Sequence, residues 1–76
     1  MDEVRFSRKE FRVRLRELRM QKHPDVDLKI LSQRMGLHSD ALRRYENGET
    51  IPRINSASKI AVFYEVTLDY LIHGIK

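Results

Sequence analysis

The sequence predicts an all-α fold, a compact bundle of five short helices in one domain. Apolar residues recur at spacings of three and four, which is the period of a helix that buries one face. Residue types that begin or end helices, namely serine, aspartate, threonine, glycine and proline, stand between these segments. No segment shows the strict alternation of apolar and polar residues that a half-buried strand requires, so no strand is predicted.

The first helix is predicted to begin after Ser7, because Ser7 and Glu10 form a capping-box pattern. Three apolar residues at helical spacing form its inward face, Phe11, Leu15 and Leu18. Pro24 ends the helix, since the residue before a proline is disfavoured in the α region. Residues 1–6 are expected to form an N-terminal arm ahead of a domain that spans residues 7–76.

A row of arginines lies beside that apolar face, again at spacings of three and four. Its members are Arg5, Arg8, Arg12, Arg16 and Arg19. Two interpretations stay open for each of them. Either the guanidinium contacts a phosphate, or it keeps the helix soluble while its aliphatic stem covers the edge of the core.

The second helix is predicted to follow Asp27, the favoured cap, and to end at Gly36. Glycine supplies the positive φ that a helix C-terminus commonly needs. The inward residues of this helix are Leu28, Leu31 and Met35, with Ile30 widening the face.

The third helix is predicted to begin at His38 or Ser39 and to run to about Glu46. Its inward residues are Leu42 and Tyr45, with Ala41 close by. Asn47-Gly48 closes it; we reject a hairpin turn at this dipeptide because the flanking residues do not alternate with period two.

The fourth helix is predicted from about Asn55 to Tyr64, and the fifth begins after the cap Thr67 and ends at Gly74. The inward residues of the fourth helix are Ala57, Ile60, Ala61 and Tyr64. Those of the fifth are Leu68, Leu71 and Ile72.

The C-terminal end carries several apolar residues for so small a bundle, Val66, Tyr70, Ile72 and Ile75. Two interpretations are equally open. An exposed patch of these residues predicts a two-fold dimer through the C-terminal helix, whereas their burial would complete the core.

The charge distribution predicts a polyanionic partner. The net charge is +4, and residues 1–22 carry all of it, with eight lysines and arginines against four acidic residues. Residues 23–76 balance. Clustered arginines in a basic domain are the expected footprint of a protein that binds a phosphate backbone.

Several functional classes are excluded. The chain lacks cysteine, and its three histidines are far apart, so neither disulfides nor a metal site is expected. No nucleophile–base pair or glycine-rich phosphate loop points to an enzyme. No apolar run approaches membrane length and the N-terminus lacks a signal-peptide pattern. We expect an intracellular, soluble domain without a cofactor or small-molecule ligand.

The segment that carries function spans about residues 27–47. Two short helices joined by a glycine-containing turn are the signature of a helix-turn-helix. In this motif the second helix must place its N-terminal residues in the major groove of DNA while its apolar side packs inward. The residues left outward in the third helix are Ser39, Asp40, Arg43 and Arg44.

From about Phe11 to Ile72 the chain resembles the phage-repressor and Cro-type (XRE-like) helix-turn-helix domains of bacteria and their viruses. The matching pieces are RELR at 16–19, LSQRMGL at 31–37, YENG at 45–48, Pro52, KIA at 59–61 and VTLDYLI at 66–72. The resemblance implies a lambda-repressor-like fold that binds operator DNA, often as a homodimer, and regulates transcription, here as a repressor. It also implies a cytoplasmic, nucleoid-associated protein in a bacterial or phage-infected cell.

The resemblance assigns roles to individual residues. Those at the positions that read bases are Ser39, Asp40 and Arg44. Those in the regions that contact phosphate are Leu28 through its amide, Arg43, Asn47, the Gly48 amide and Arg53. Arg19 is expected to pair with Glu46 and so to orient the third helix. Arg44 suits a bidentate contact to guanine, whereas Asp40 either accepts from cytosine or complements the helix dipole.

A second hypothesis is a protein-interaction module, such as an antitoxin, antirepressor or adaptor, that keeps the bundle without a DNA-binding face. Leu28 stands where the family usually carries a glutamine that grips a phosphate, and Asp27 and Asp40 would repel one. The link at 22–27 is also two residues longer than is usual in the family. Binding to DNA that weakens with salt would separate the two hypotheses.

Overall fold

A computed structural model describes residues 6–75 of the chain. It contains five helices, α1 (Arg8–Lys22), α2 (Leu28–Arg34), α3 (Ala41–Glu46), α4 (Ile54–Phe63) and α5 (Leu68–His73), and no strand within the described residues. The all-α, five-helix prediction is therefore confirmed. Most of the proposed N-terminal arm, including Arg5, lies outside the described residues, and so does Lys76.

The helix ends follow the predicted local signals. The Ser7 side chain accepts a hydrogen bond from the Glu10 amide at 3.2 Å, and Thr67 accepts from the Tyr70 amide at 3.0 Å. These bonds satisfy first-turn donors that a helix leaves without an internal partner. Gly74 ends α5 in the left-handed conformation at φ 71°, which a side chain would disfavour.

The start of α3 was predicted too early. His38, Ser39 and Asp40 form a turn in which the Ala41 amide donates to the His38 carbonyl, and the helix begins at Ala41. Asp40 occupies the cap position, but its carboxylate makes no hydrogen bond to the helix amides. The helix does not begin earlier because the Leu42 amide donates to the Ser32 hydroxyl and not to the His38 carbonyl four residues before it.

The core lies where the inward faces of all five helices meet. Its fully buried large side chains are Phe11, Leu15, Leu31, Leu42, Ile60, Tyr64 and Leu71. Ile30 was predicted to widen the inward face of α2, but 41% of it is exposed, because it lies to one side of the Leu31–Met35 stripe. The boundaries of α4 are one residue earlier than predicted at each end.

The helices pack so that α3 lies between two supports. It contacts α2 on one side and α1 on the other, while α5 contacts both α1 and α4. The longer link between α1 and α2 is held against α4, where the His23 ring lies 5.2 Å from the Phe63 ring. None of the helices described is long and apolar enough to cross a membrane.

Candidate nucleic-acid interface

One buried hydroxyl bonds the two helices of the helix-turn-helix to each other. Ser32 is fully buried in α2; its Oγ donates to the Leu28 carbonyl at 2.8 Å and accepts from the Leu42 amide at 3.1 Å. The second bond satisfies a first-turn donor of α3, which would otherwise be buried without a partner. Between the helices, Gly36 takes φ 78°, the positive value predicted for it. Ser32 therefore fixes α3 relative to α2.

The inward face of α3 is apolar and the outward face is charged. Leu42 is fully buried, Ala41 is 8% exposed, and Tyr45 is half-buried against the core. Arg43 and Arg44 are exposed. This division matches what a recognition helix needs, an anchored side and a polar side that can meet base edges.

An ion pair ties the end of α3 to α1. The Arg19 guanidinium donates to both oxygens of Glu46, at 2.8 and 2.9 Å. Their side chains are only 16% and 7% exposed. The hydrogen bond to Glu46 raises the pKa of Arg19 further above its ordinary range. A bidentate pair of this kind is directional, so it orients α3 on α1 in the way the sequence analysis expected.

The first turn of α3 holds a second, exposed set of charges. Arg43 donates to both Asp40 oxygens at 2.6 and 2.7 Å, and also to Glu49 at 3.0 Å. We call these three residues the carboxylate clamp. The Arg43 hydrogen bond holds the pKa of Asp40 below its usual range, so the carboxyl stays ionised at neutral pH. The clamp carries a net charge of −1.

Arg44 differs from its neighbour. It is exposed, and among residues 6–75 no carboxylate lies within salt-bridge distance of it. It lines a shallow depression beside α3 together with His38, Ala41, Tyr45 and Thr50. Ser39 and Asp40, the other residues expected to read bases, are half-buried in the turn just before the helix.

Of the residues expected to contact phosphate, three stand at helix ends and two have donors that already bond within the protein. Leu28 is the first residue of α2, Asn47 is exposed at the end of α3, and Arg53 is exposed at the start of α4. The Gly48 amide, however, donates to the Tyr45 carbonyl at 3.2 Å. Three N–H groups of Arg43 are likewise held by carboxylates. These two donors are already engaged within the protein.

Three contributors to the site were missed by sequence reasoning. Ser32 and Glu49 were given no role, and Arg12 was only one member of a row. In the structure Arg12 donates to the Glu46 carbonyl at 3.3 Å and lies against Gly48. No local signal distinguishes these residues, because their partners are six to thirty-four positions away. The described residues hold no group of three or more potential metal ligands.

Comparison with known proteins identifies the family. A family model described as helix-turn-helix matches residues 15–71, about three quarters of the chain. Searches of curated proteins and of solved structures give no significant match. The matched range contains α2, α3 and both residues of the Arg19–Glu46 pair. The chain therefore belongs to the family of Cro/C1-type (XRE) helix-turn-helix domains, which are DNA-binding regulatory domains.

Proposed function

We propose that this protein is a sequence-specific DNA-binding transcriptional regulator, a repressor, that reads the major groove with α3. The observation that carries the proposal is the exposed Arg44, which has no carboxylate partner among residues 6–75 and lies on a helix anchored by buried contacts. A free guanidinium in the major groove can make two hydrogen bonds to guanine O6 and N7. Bound across a promoter in a bacterial or phage-infected cell, the domain would repress by occupying it.

Ser39 and Asp40 complete the proposed reading surface at the start of α3. Ser39 can donate or accept on several bases. Both Asp40 oxygens already accept from Arg43, but a carboxylate oxygen has two lone pairs, so Asp40 can still accept from cytosine N4. The Leu28 amide, Asn47 and Arg53 are proposed to hold phosphates on either side.

A homodimer is proposed as the form that binds DNA. Val66, Tyr70 and Ile72, for which exposure and burial were equally open, are half-buried against the core. The exposed apolar residues near that end of the bundle are Ile51, Ile54 and Ile75. The first two line an open cleft with Phe6 and Ile72. Two-fold pairing there would cover apolar surface and place two α3 helices on half-sites about 34–36 Å apart.

Selection of bound sequences from random duplex DNA tests the proposal. We expect an enriched palindromic motif for the natural protein and weaker binding as salt rises. Arg44→Ala should cost about 1–3 kcal/mol and relax preference at one base pair of each half-site. Arg34→Ala, a loss of the same charge from the exposed end of α2, is the matched control and should keep the motif.

Two outcomes would contradict the proposal. Absence of both an enriched motif and any salt-dependent binding would favour the protein-interaction module. Weaker binding of Arg44→Ala with an unchanged motif would remove Arg44 from the base-reading surface. Sedimentation at micromolar concentration, with and without the selected DNA, tests the dimer separately.

A further inference from the structure

Among residues 6–75, the cationic side chains without carboxylate partners are most numerous on α1. Helix α1 contains seven lysines and arginines and two glutamates, whereas residues 27–50 contain four of each sign. The helix-turn-helix segment is therefore electrically neutral. Attraction to a phosphate backbone depends on the local excess of cations, so the source of that attraction must be sought on α1.

One cleft gathers these cations beside the end of α3. It has a volume of about 350 Å³ and is lined by Lys9, Arg12, Val13, Arg16 and Glu46. The only carboxylate among these residues belongs to Glu46, and both of its oxygens are taken by Arg19. Three exposed cations thus face a cleft in which the one negative charge is already neutralised. We call this the α1 cleft.

Arg12 joins the α1 cleft to the loop after α3. Its Nε donates to the Glu46 carbonyl, and its guanidinium lies against Gly48, where a Cβ would come within 3.0 Å of it. A side chain at position 48 would therefore push the Arg12 guanidinium away by a few tenths of an ångström. Because the Gly48 amide itself donates to Tyr45, the unengaged N–H groups beside Gly48 belong to Arg12.

We propose that the α1 cleft binds phosphates of the DNA backbone, with Lys9, Arg12 and Arg16 as the contacting residues. The proposal rests on the DNA binding proposed above and extends its surface from the helix-turn-helix onto α1. Arg12 would contact the phosphate that the Gly48 amide was expected to contact. The α1 cations would supply positive charge that Arg43 lacks, because Asp40 and Glu49 neutralise it. The contacts are to phosphate, so they strengthen binding to every sequence equally.

The test is the salt dependence of binding to the selected duplex. The logarithm of the binding constant falls linearly with the logarithm of salt concentration, by about 0.9 for each phosphate neutralised. Arg12→Gln and Arg16→Gln should each reduce the steepness of this line by about 1, and the double variant by about 2. Arg34→Gln, the control, should leave the steepness unchanged. The preferred motif should be the same for all variants.

Variants that leave the packing of α3 unchanged separate the loss of charge from a loss of folding. Lys9 and Arg16 make no hydrogen bond to another helix among the described residues, so Lys9→Gln and Arg16→Gln remove charge without loosening α3. Arg12→Lys keeps the charge and should retain most of the natural steepness. Thermal unfolding of each variant records any loss of stability.

The proposal is overturned if Lys9→Gln, Arg12→Gln and Arg16→Gln all have the same salt dependence as Arg34→Gln. That result would leave the proposed function intact, because the natural protein would still select a motif. If the natural protein binds no duplex at all, the proposed function fails and the α1 cleft loses its ligand with it.

Discussion

The first turn of α3 and the exposed face of α1 are both rich in arginine, yet they differ in what surrounds the arginine. In the carboxylate clamp, Arg43 is bound by Asp40 and Glu49. In the α1 cleft, Arg12 is bound by a neutral carbonyl, and the nearby Glu46 is neutralised by Arg19. The number of arginines therefore does not predict where free positive charge lies, because the positions of the carboxylates decide it.

In the proposed complex with DNA, the two regions would have different tasks. Contacts to phosphate position a protein on the duplex, whereas contacts to base edges give sequence preference. Arg44 balances the negative charge of the carboxylate clamp, so this region has no net charge. That suits base reading, since excess positive charge there would bind DNA of any sequence. The cationic α1 cleft suits the backbone.

Glu46 ties the end of α3 to α1, so its replacement should have the largest effect on the free energy of unfolding. Glu46→Gln leaves Arg19 mostly buried without a counter-charge, and breaking a buried pair in this way costs about 3 kcal/mol of unfolding free energy. Urea unfolding measures it. Glu17→Gln, which removes an exposed carboxylate from α1, the helix that carries Arg19, is the control. Equal stabilities of the two variants would show that the pair does not hold α3 on α1.

Ser32→Ala should have the next largest effect. It leaves the buried Leu42 amide at the start of α3 without a hydrogen-bond acceptor, which costs about 1–3 kcal/mol of unfolding free energy. Ser58→Ala is the matched control, because the Ser58 Oγ bonds only the carbonyl four residues earlier. If Ser32→Ala is no less stable than Ser58→Ala, the bond between α2 and α3 does not fix the recognition helix.

Asp40→Asn tests whether the carboxylate clamp keeps Arg43 from contacting phosphate. Removing one negative charge frees Arg43, so affinity for mixed-sequence DNA should rise a few-fold and its salt dependence should steepen by up to about 1. On the selected motif, preference at one base pair should change. Fluorescence anisotropy with both duplexes measures these effects. Unchanged affinity on mixed-sequence DNA would show that Asp40 does not restrain Arg43.

The effect of Asp40→Asn on affinity should not depend on pH near neutrality. Because Arg43 lowers the pKa of Asp40, the carboxyl stays charged until the pH falls below the ordinary range of an aspartate. The ratio of affinities between Asp40→Asn and the natural Asp40, both measured in a His38→Gln background because the His38 imidazole accepts from the Asp40 amide, should therefore be constant from about pH 6 to pH 8. A ratio that changes over this interval would mean that Asp40 titrates there and is not held by Arg43.

Glu49→Gln should have the smallest effect, an increase in affinity for mixed-sequence DNA below that of Asp40→Asn. Arg43 donates to Glu49 once, at 3.0 Å, but to Asp40 twice at shorter distances. The motif should not change, since Glu49 lies beyond the end of α3. An effect larger than that of Asp40→Asn would reverse the order of the two carboxylates in the clamp.

Much of the fold follows from local signals. The cap at Ser7, the cap at Thr67 and the glycine at position 74 mark helix ends because each satisfies or permits a backbone geometry within a few residues. The helical period of Phe11, Leu15 and Leu18 predicted their burial for the same reason. The predicted start of α3 was wrong because the Leu42 amide bonds to Ser32 of α2. The predicted burial of Ile30 was wrong because the inward stripe of α2 is narrower than its run of apolar residues.

The number and approximate position of the helices, the buried face of each and, through resemblance, the family follow from the amino-acid sequence alone. Which arginines carry free charge depends on how the helices pack. Arg43 and Asp40 are three residues apart, so that pair is local, but Arg12 meets Glu46, and Arg19 neutralises Glu46, only where α1 packs against α3. Electrostatic interaction depends on distance in space and not along the chain, so the chain must fold before the carboxylate beside Arg12 is neutralised and Arg12 is left for a ligand.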